Sequence, residues 1–114
     1  MYEIFVSYST KDLQWAEYLR QFLTDAQAHV FVAEYDLSPG QSLSEEISQR
    51  IDACDLFILL WSRHSEMSHY VHAEVFHAKA RQKRILPIML QPGLRLPDLL
   101  TDLNANREAL RKDP

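Results

Sequence analysis

Glu74 lies where a carboxylate could take part in chemistry. It follows the longest apolar run of the chain, residues 56–61, which ends at Ser62. An apolar run bounded by polar residues predicts a strand buried on both faces, and open α/β sheets bind ligands beyond the carboxyl ends of such strands. A carboxylate in that crevice can hold hydroxyl groups and stabilise developing positive charge. The alternative is a surface glutamate stabilised by the dipole of its own helix.

The helix that carries Glu74 is predicted to begin after Ser68, whose hydroxyl can cap it. Its apolar stripe comprises Val71, Val75 and Ala78. At roughly 100° per residue, Glu74 lies on the flank of this stripe, and Tyr70 lies one turn earlier on nearly the same face. We therefore expect the carboxylate to lie neither in the core nor fully toward solvent.

Strands and helices alternate along the whole chain. The first strand is predicted to start almost at Met1, and others are predicted at residues 29–33, 56–61 and 85–90. Helices are predicted after Ser9, at residues 43–53 with Ser42 as the cap, after Ser68, and briefly at residues 96–103. Pro87 cannot donate to a ladder, so the fourth strand should lie at or near a sheet edge. The alternation predicts a flavodoxin-like open parallel sheet of four to five strands flanked by helices.

Composition narrows the function classes. A chain of 114 residues forms one domain, and its net charge of -4 provides no positive field for nucleic acid. The single cysteine, Cys54, excludes an internal disulfide and is expected to be a buried thiol. No apolar run approaches the roughly 20 residues that span a bilayer, and no signal peptide is evident. We expect a cytoplasmic protein without membrane insertion.

The sequence lacks the patterns of several common functional sites. Residues 7–14 contain no glycine, so a phosphate-cradling turn after the first strand is not expected. Tyr8 and Ser62 stand where a response-regulator receiver needs acidic residues. The histidines lack the spacing of a metal site, and no Gly-x-Ser-x-Gly elbow of a hydrolase is present. We expect no metal.

Four segments, taken in order, resemble the motifs of Toll/interleukin-1 receptor (TIR) domains. They are residues 4–9 followed by Lys11-Asp12, residues 36–40, the strand end at residues 60–62, and Tyr70-x-x-x-Glu74. The resemblance covers residues 1 to about 92. It implies a TIR domain over residues 1–103, and we interpret residues 104–114 as a polar tail or a linker to a missing sensor or effector domain.

The resemblance implies a choice between functions. Many bacterial, plant and axon-degeneration TIR domains cleave NAD+ at the nicotinamide–ribose bond with one glutamate, and Ser62, Tyr70 and Glu74 resemble their motif, with tyrosine in place of the usual tryptophan. Receptor and adaptor TIR domains instead assemble with one another through the loop after the second strand, here residues 34–42, without catalysis. A third possibility is an enzyme similar to nucleoside deoxyribosyltransferases, which would exchange bases.

We favour the catalytic interpretation, in which self-association activates an NAD+ nucleosidase or ADP-ribosyl cyclase in cell defence. NAD+ would be the substrate, other TIR domains would be partners, and no cofactor would be needed. Glu74 would be catalytic. The residues expected to bind substrate are Tyr8, Ser9, Lys11, Ser62 and Tyr70. The loop residues expected to act as a lid or in assembly are Asp36, Pro39 and Gly40.

Overall fold

The computed structural model describes residues 1–33 and 43–100. Its strands are β1 Glu3–Ser7, β2 His29–Val32, β3 Leu56–Trp61 and β4 Ile85–Met89. Its helices are α1 Leu13–Asp25, α2 Glu45–Ala53, the short α3 Arg63–Glu66 and α4 His69–Ala80. Single 3-10 turns cover Thr10–Asp12 and Asp98–Leu100. Strands and helices thus alternate as the sequence predicts.

The four strands form one parallel sheet in the order β2-β1-β3-β4. The register aligns Ser7 of β1 with Leu59 of β3, and Leu59 with Pro87 of β4. Strand β4 lies at the edge of the described sheet. Pro87 has no N–H to donate, and an edge strand tolerates a missing donor because one of its sides has no neighbouring strand. The flavodoxin-like parallel sheet is therefore confirmed, and within residues 1–33 and 43–100 β4 has the predicted edge position.

Side chains alternate across the sheet and build one apolar cluster on each face. Phe5 of β1 and Phe57 of β3 stack at 5.4 Å between ring centroids on the face covered by α2 and α4. Val6 and Ile58 point to the opposite face, where Ala16 of α1 joins them. Every β3 side chain from Phe57 to Trp61 is buried, as predicted for a central strand.

Two of the three helix starts with a predicted serine cap lie two or three residues later in the structure. Ser44, rather than Ser42, caps α2, because its backbone is extended (φ -69°, ψ 154°) and its hydroxyl accepts a hydrogen bond from the Ile47 N–H at 3.2 Å. Ser9 caps the 3-10 turn, and α1 begins only at Leu13. The predicted cap at Ser68 is confirmed, since its hydroxyl accepts from the Val71 N–H at 3.3 Å.

The end of the described chain is short and irregular. The helix predicted at residues 96–103 is only the turn Asp98–Leu100 as far as the structure describes it, anchored by buried Leu96 and Leu100. The predicted tail at residues 104–114 and the loop residues Asp36, Pro39 and Gly40 lie outside the described residues. In residues 1–33 and 43–100, no helix has the length and apolar character needed to cross a membrane.

Candidate functional site

Glu74 lies in the interior of the domain, not on the flank of its helix as predicted. Its side chain has 0% relative exposure and shares α4 with buried Val71 and Val75. The Ser7 hydroxyl donates a hydrogen bond of 2.6 Å to Glu74 Oε1. A buried carboxylate is tolerated only when it has hydrogen-bond donors, and Ser7 supplies one. Helix periodicity missed this burial because the partner comes from a distant strand.

Ser7 is a site residue that no sequence pattern distinguishes from the other residues of β1. It is the last residue of β1 and lies two positions after Phe5, so both side chains point to the face covered by α4. A hydroxyl that donates to a carboxylate forms a short, charge-assisted bond when the acid is ionised. The alternation of strand side chains would have placed Ser7 on this face. It would not have identified its partner, which is 67 residues away.

A second buried polar pair joins the loops that follow β1 and β3. The Ser62 hydroxyl donates to Asp12 Oδ2 at 2.5 Å, and both residues are almost completely buried, at 1% and 7% exposure. The same hydroxyl accepts hydrogen bonds from the His64 and Ser65 N–H groups, both at 3.1 Å. Ser62 therefore caps α3 and at the same time fixes the loop that carries Asp12.

Ser65 completes this network from within α3. Its hydroxyl accepts a hydrogen bond from the Ser62 N–H at 2.7 Å and donates to the Leu60 carbonyl at 2.8 Å. These reciprocal contacts form a capping box with serine in the position usually held by glutamate or glutamine. The end of β3 is thereby held rigidly.

The loop after β4 is tied to the same edge of the sheet. The indole N–H of Trp61 donates to the Arg95 carbonyl at 2.9 Å, and the Arg63 N–H donates to Gln91 Oε1 at 2.9 Å. The ring of His72 on α4 meets the Trp61 ring edge-on at 5.7 Å. The carboxyl ends of β1, β3 and β4 thus form one connected surface, which is the location where open parallel sheets bind ligands.

Comparison with known families decides the relationship. The sequence pattern of the TIR domain family matches residues 4–112. The chain belongs to the TIR domain family. Its predicted fold class and its predicted family are therefore both confirmed. Among curated proteins, the comparison found no significant match.

Solved structures agree with this TIR fold. The TIR domain of the Toll-related receptor TRR-2 from Hydra magnipapillata aligns at a TM-score of 0.71 and 21% identity, over 98% of both chains. The TIR domains of the activated Roq1 resistosome align at a TM-score of 0.67 and 17% identity, over 98% of this chain and 76% of theirs. A metazoan TIR-STING receptor from C. gigas aligns at a TM-score of 0.71 and 23% identity, over 96% of this chain and 39% of that one.

One further similar structure is that of an enzyme. The CMP N-glycosidase BcmB from Clostridium botulinum aligns with this TIR domain at a TM-score of 0.62 and 24% identity, over 90% of this chain and 81% of that one. Identities this low establish a shared fold and leave the activity of this TIR domain to be argued from its own site.

The residues predicted to bind substrate occupy different environments. Tyr8 is buried in the cluster on the α1 face, and its hydroxyl donates to the Ala33 carbonyl. The Ser9 hydroxyl accepts a hydrogen bond from the Lys11 N–H at 3.3 Å, and the Lys11 side chain is exposed. Tyr70 is half-buried in the first turn of α4. Their roles in substrate binding, like that of Ser62, stay predictions.

A wide apolar groove lies on the other face of the sheet. It has a volume of about 610 Å3 and is lined by Trp15, Tyr18 and Phe22 of α1 together with Ile88 and Leu90 at the β4 edge. Glu74 lies on the α4 side, so this groove is separate from the candidate site. Within the described ranges, no three His, Cys, Asp or Glu side chains come together as a metal site.

Proposed function

We propose that this TIR domain cleaves NAD+ at the nicotinamide–ribose bond and that Glu74 is its catalytic residue. The observation that carries the proposal is the buried carboxylate of Glu74, held by the Ser7 hydroxyl at 2.6 Å at the carboxyl end of the parallel sheet. Burial of an acid is costly unless hydrogen-bond donors satisfy it, and the Ser7 hydroxyl is one such donor. Its location is where this fold class binds ligands.

The chemistry needs only one carboxylate. Cleavage breaks the bond between the ribose anomeric carbon and the nicotinamide nitrogen, and the bonding electron pair leaves with nicotinamide, which becomes neutral. No general acid is required, unlike in the hydrolysis of an ordinary glycosidic oxygen. The Glu74 carboxylate would hold ribose hydroxyls and stabilise the oxocarbenium-like charge, and its dry surroundings strengthen that effect. Water addition with loss of a proton gives ADP-ribose, whereas attack by the adenine ring gives a cyclic product.

Substrate entry requires a change of structure. The Glu74 side chain has no exposed surface, so the groups that cover it must move before NAD+ can reach it. We propose that self-association supplies the free energy for this opening, because binding can favour a conformation that is sparsely populated in the isolated domain. One similar structure contains the TIR domains of an activated resistosome, which supports assembly as the activating step and a role in immune signalling.

The similarity to a CMP N-glycosidase supports a second candidate substrate class. That enzyme's name refers to an N-glycosidic bond in a nucleoside monophosphate, the same type of bond that we propose for NAD+. A base-exchanging enzyme similar to nucleoside deoxyribosyltransferases belongs to the same class. In each alternative, the Glu74 carboxylate would act at the sugar carbon, so the products formed from each substrate distinguish the alternatives.

Nicotinamide release across a range of protein concentrations tests the proposal. Purified protein should be incubated with NAD+, CMP or deoxynucleosides, free and after clustering on beads or a scaffold, and the products separated by chromatography. We expect NAD+ consumption that rises more steeply than protein concentration. Cleavage of CMP or exchange of deoxynucleoside bases without NAD+ consumption would replace the proposed substrate.

Non-catalytic assembly is the rival function. It would be favoured by specific binding between TIR domains that is lost on substitution of Pro39 or Gly40, together with no product from any nucleotide at any concentration. The two functions are separable, because substitution of Glu74 should abolish cleavage without preventing assembly.

A further inference from the structure

Ser7 joins two rigid elements at the candidate site. Its backbone is part of β1 and is aligned with Leu59 of the central strand. Its hydroxyl reaches across to Oε1 of Glu74 on α4, a helix anchored in the core by Val71 and Val75. A glutamate has three rotatable side-chain bonds, so a donor fixed on a strand restricts the orientations of its carboxylate.

Ser7 contacts Glu74, and not solvent, in this arrangement. It has 0% exposure, and the single hydroxyl proton that it can donate goes to Glu74. Ser62 is different, because its hydroxyl proton goes to Asp12 and holds a loop. The contact through which Ser7 can affect the reaction in this arrangement is therefore the carboxylate of Glu74.

We infer that Ser7 is a positioning residue, which keeps the Glu74 carboxylate correctly oriented toward the sugar during NAD+ cleavage. This inference rests on the proposed function. A misplaced catalytic group lowers the rate more than it lowers substrate affinity, since the near-attack geometry fails while the contacts to the rest of the substrate remain. Loss of a hydrogen bond to a charged group commonly costs about 10- to 100-fold in the equilibrium or rate that it supports.

The test compares Ser7→Ala with Ser7→Thr in steady-state NAD+ cleavage. We expect Ser7→Ala to lower kcat by about 10- to 100-fold with KM for NAD+ changed less than about 2-fold. Ser7→Thr keeps the hydroxyl and should recover most of kcat. Equal losses in the two variants would indicate packing alone. An unchanged or increased kcat in Ser7→Ala would also overturn the inference, and an increase would mean that the bond holds a resting state.

A second measurement separates failure of this inference from failure of the proposed function. If the wild-type protein releases no nicotinamide, the proposed function is wrong, and the role of Ser7 is judged by urea unfolding. Ser7→Ala should lower the unfolding midpoint in the wild-type background but not in Glu74→Met, where the hydroxyl has no carboxylate to hold. Equal lowering in both backgrounds would show that Ser7 does not act through Glu74.

Discussion

Two ionisable side chains of this domain are buried in different surroundings. Glu74 is buried with a hydroxyl donor, whereas Cys54, at 4% exposure, lies among apolar side chains between α2 and β3. Burial raises the pKa of the Cys54 thiol, and the nearby positive charge of Lys83 only partly opposes this effect. The thiol therefore stays protonated at neutral pH.

We predict that Cys54 is unreactive in the folded protein. Since only the thiolate attacks, a raised pKa and a buried sulfur both slow modification. At pH 8, a chromogenic disulfide reagent should modify native protein at least about 10-fold more slowly than protein unfolded in urea. The unfolded chain is its own control. Equal rates in the two states would contradict the buried position of this residue.

An N-terminal helix cap can also connect its helix to another part of the domain. Ser62 caps α3 and donates to buried Asp12, whereas Ser44 caps α2 from an exposed position. Removal of Ser62 therefore takes a hydrogen bond from a buried acid in addition to the cap. Removal of Ser44 takes only the cap.

We predict that Ser62→Ala destabilises the domain more than Ser44→Ala does. A lost cap costs about 1 kcal/mol, and loss of a donor to a buried carboxylate adds about 1–3 kcal/mol. Urea unfolding of the two variants measures the difference directly. A third variant, Asp12→Ala combined with Ser62→Ala, should recover part of the loss, because no acid is left without its donor. Equal destabilisation by Ser62→Ala and Ser44→Ala would show that the bond to Asp12 contributes nothing.

The whole domain depends on β3, whose side chains supply both apolar clusters. Leu59 lies in the cluster beneath α2 and α4, and Leu60 lies in the cluster beneath α1. The two clusters share the backbone of one strand. Loss of packing on either face should therefore weaken the entire sheet rather than one layer.

We predict that Leu59→Ala lowers the free energy of unfolding by about 2–5 kcal/mol, since it removes a fully buried side chain and leaves a cavity. Fluorescence and circular dichroism should report one shared transition. The matched control is Leu99→Ala, at a position 39% exposed, which should cost less than about 1 kcal/mol. A small loss at Leu59, or separate transitions for the two probes, would contradict a core centred on β3.

The architecture could be read from the sequence because its signals are local. The continuous apolar run of β3, the proline in β4 and the serine before α4 each specify an element without reference to distant residues. The choice between Ser42 and Ser44 could not be made this way, because both are serines preceding the same apolar pattern. Only backbone geometry decides which one reaches a free N–H.

The candidate site was predictable only in part. The position of Glu74 beyond β3 followed from the order of the elements, but its complete burial depends on a hydroxyl from β1. The pairing of Asp12 with Ser62 joins residues 50 positions apart and is likewise invisible to periodicity. Such contacts between distant segments are set by tertiary packing, which a single sequence does not display.

Nicotinamide release by Glu74→Gln, compared with Glu66→Gln, tests the central claim most directly. Both changes remove one acid from neighbouring helices, but Glu66 is exposed on α3 whereas Glu74 is buried beside Ser7. Measured on clustered protein at saturating NAD+, Glu74→Gln should lower the rate by about 100-fold or more, because transition-state charge loses its counter-charge, while Glu66→Gln keeps the wild-type rate. A Glu74→Gln protein that releases nicotinamide as fast as the wild type would contradict the account.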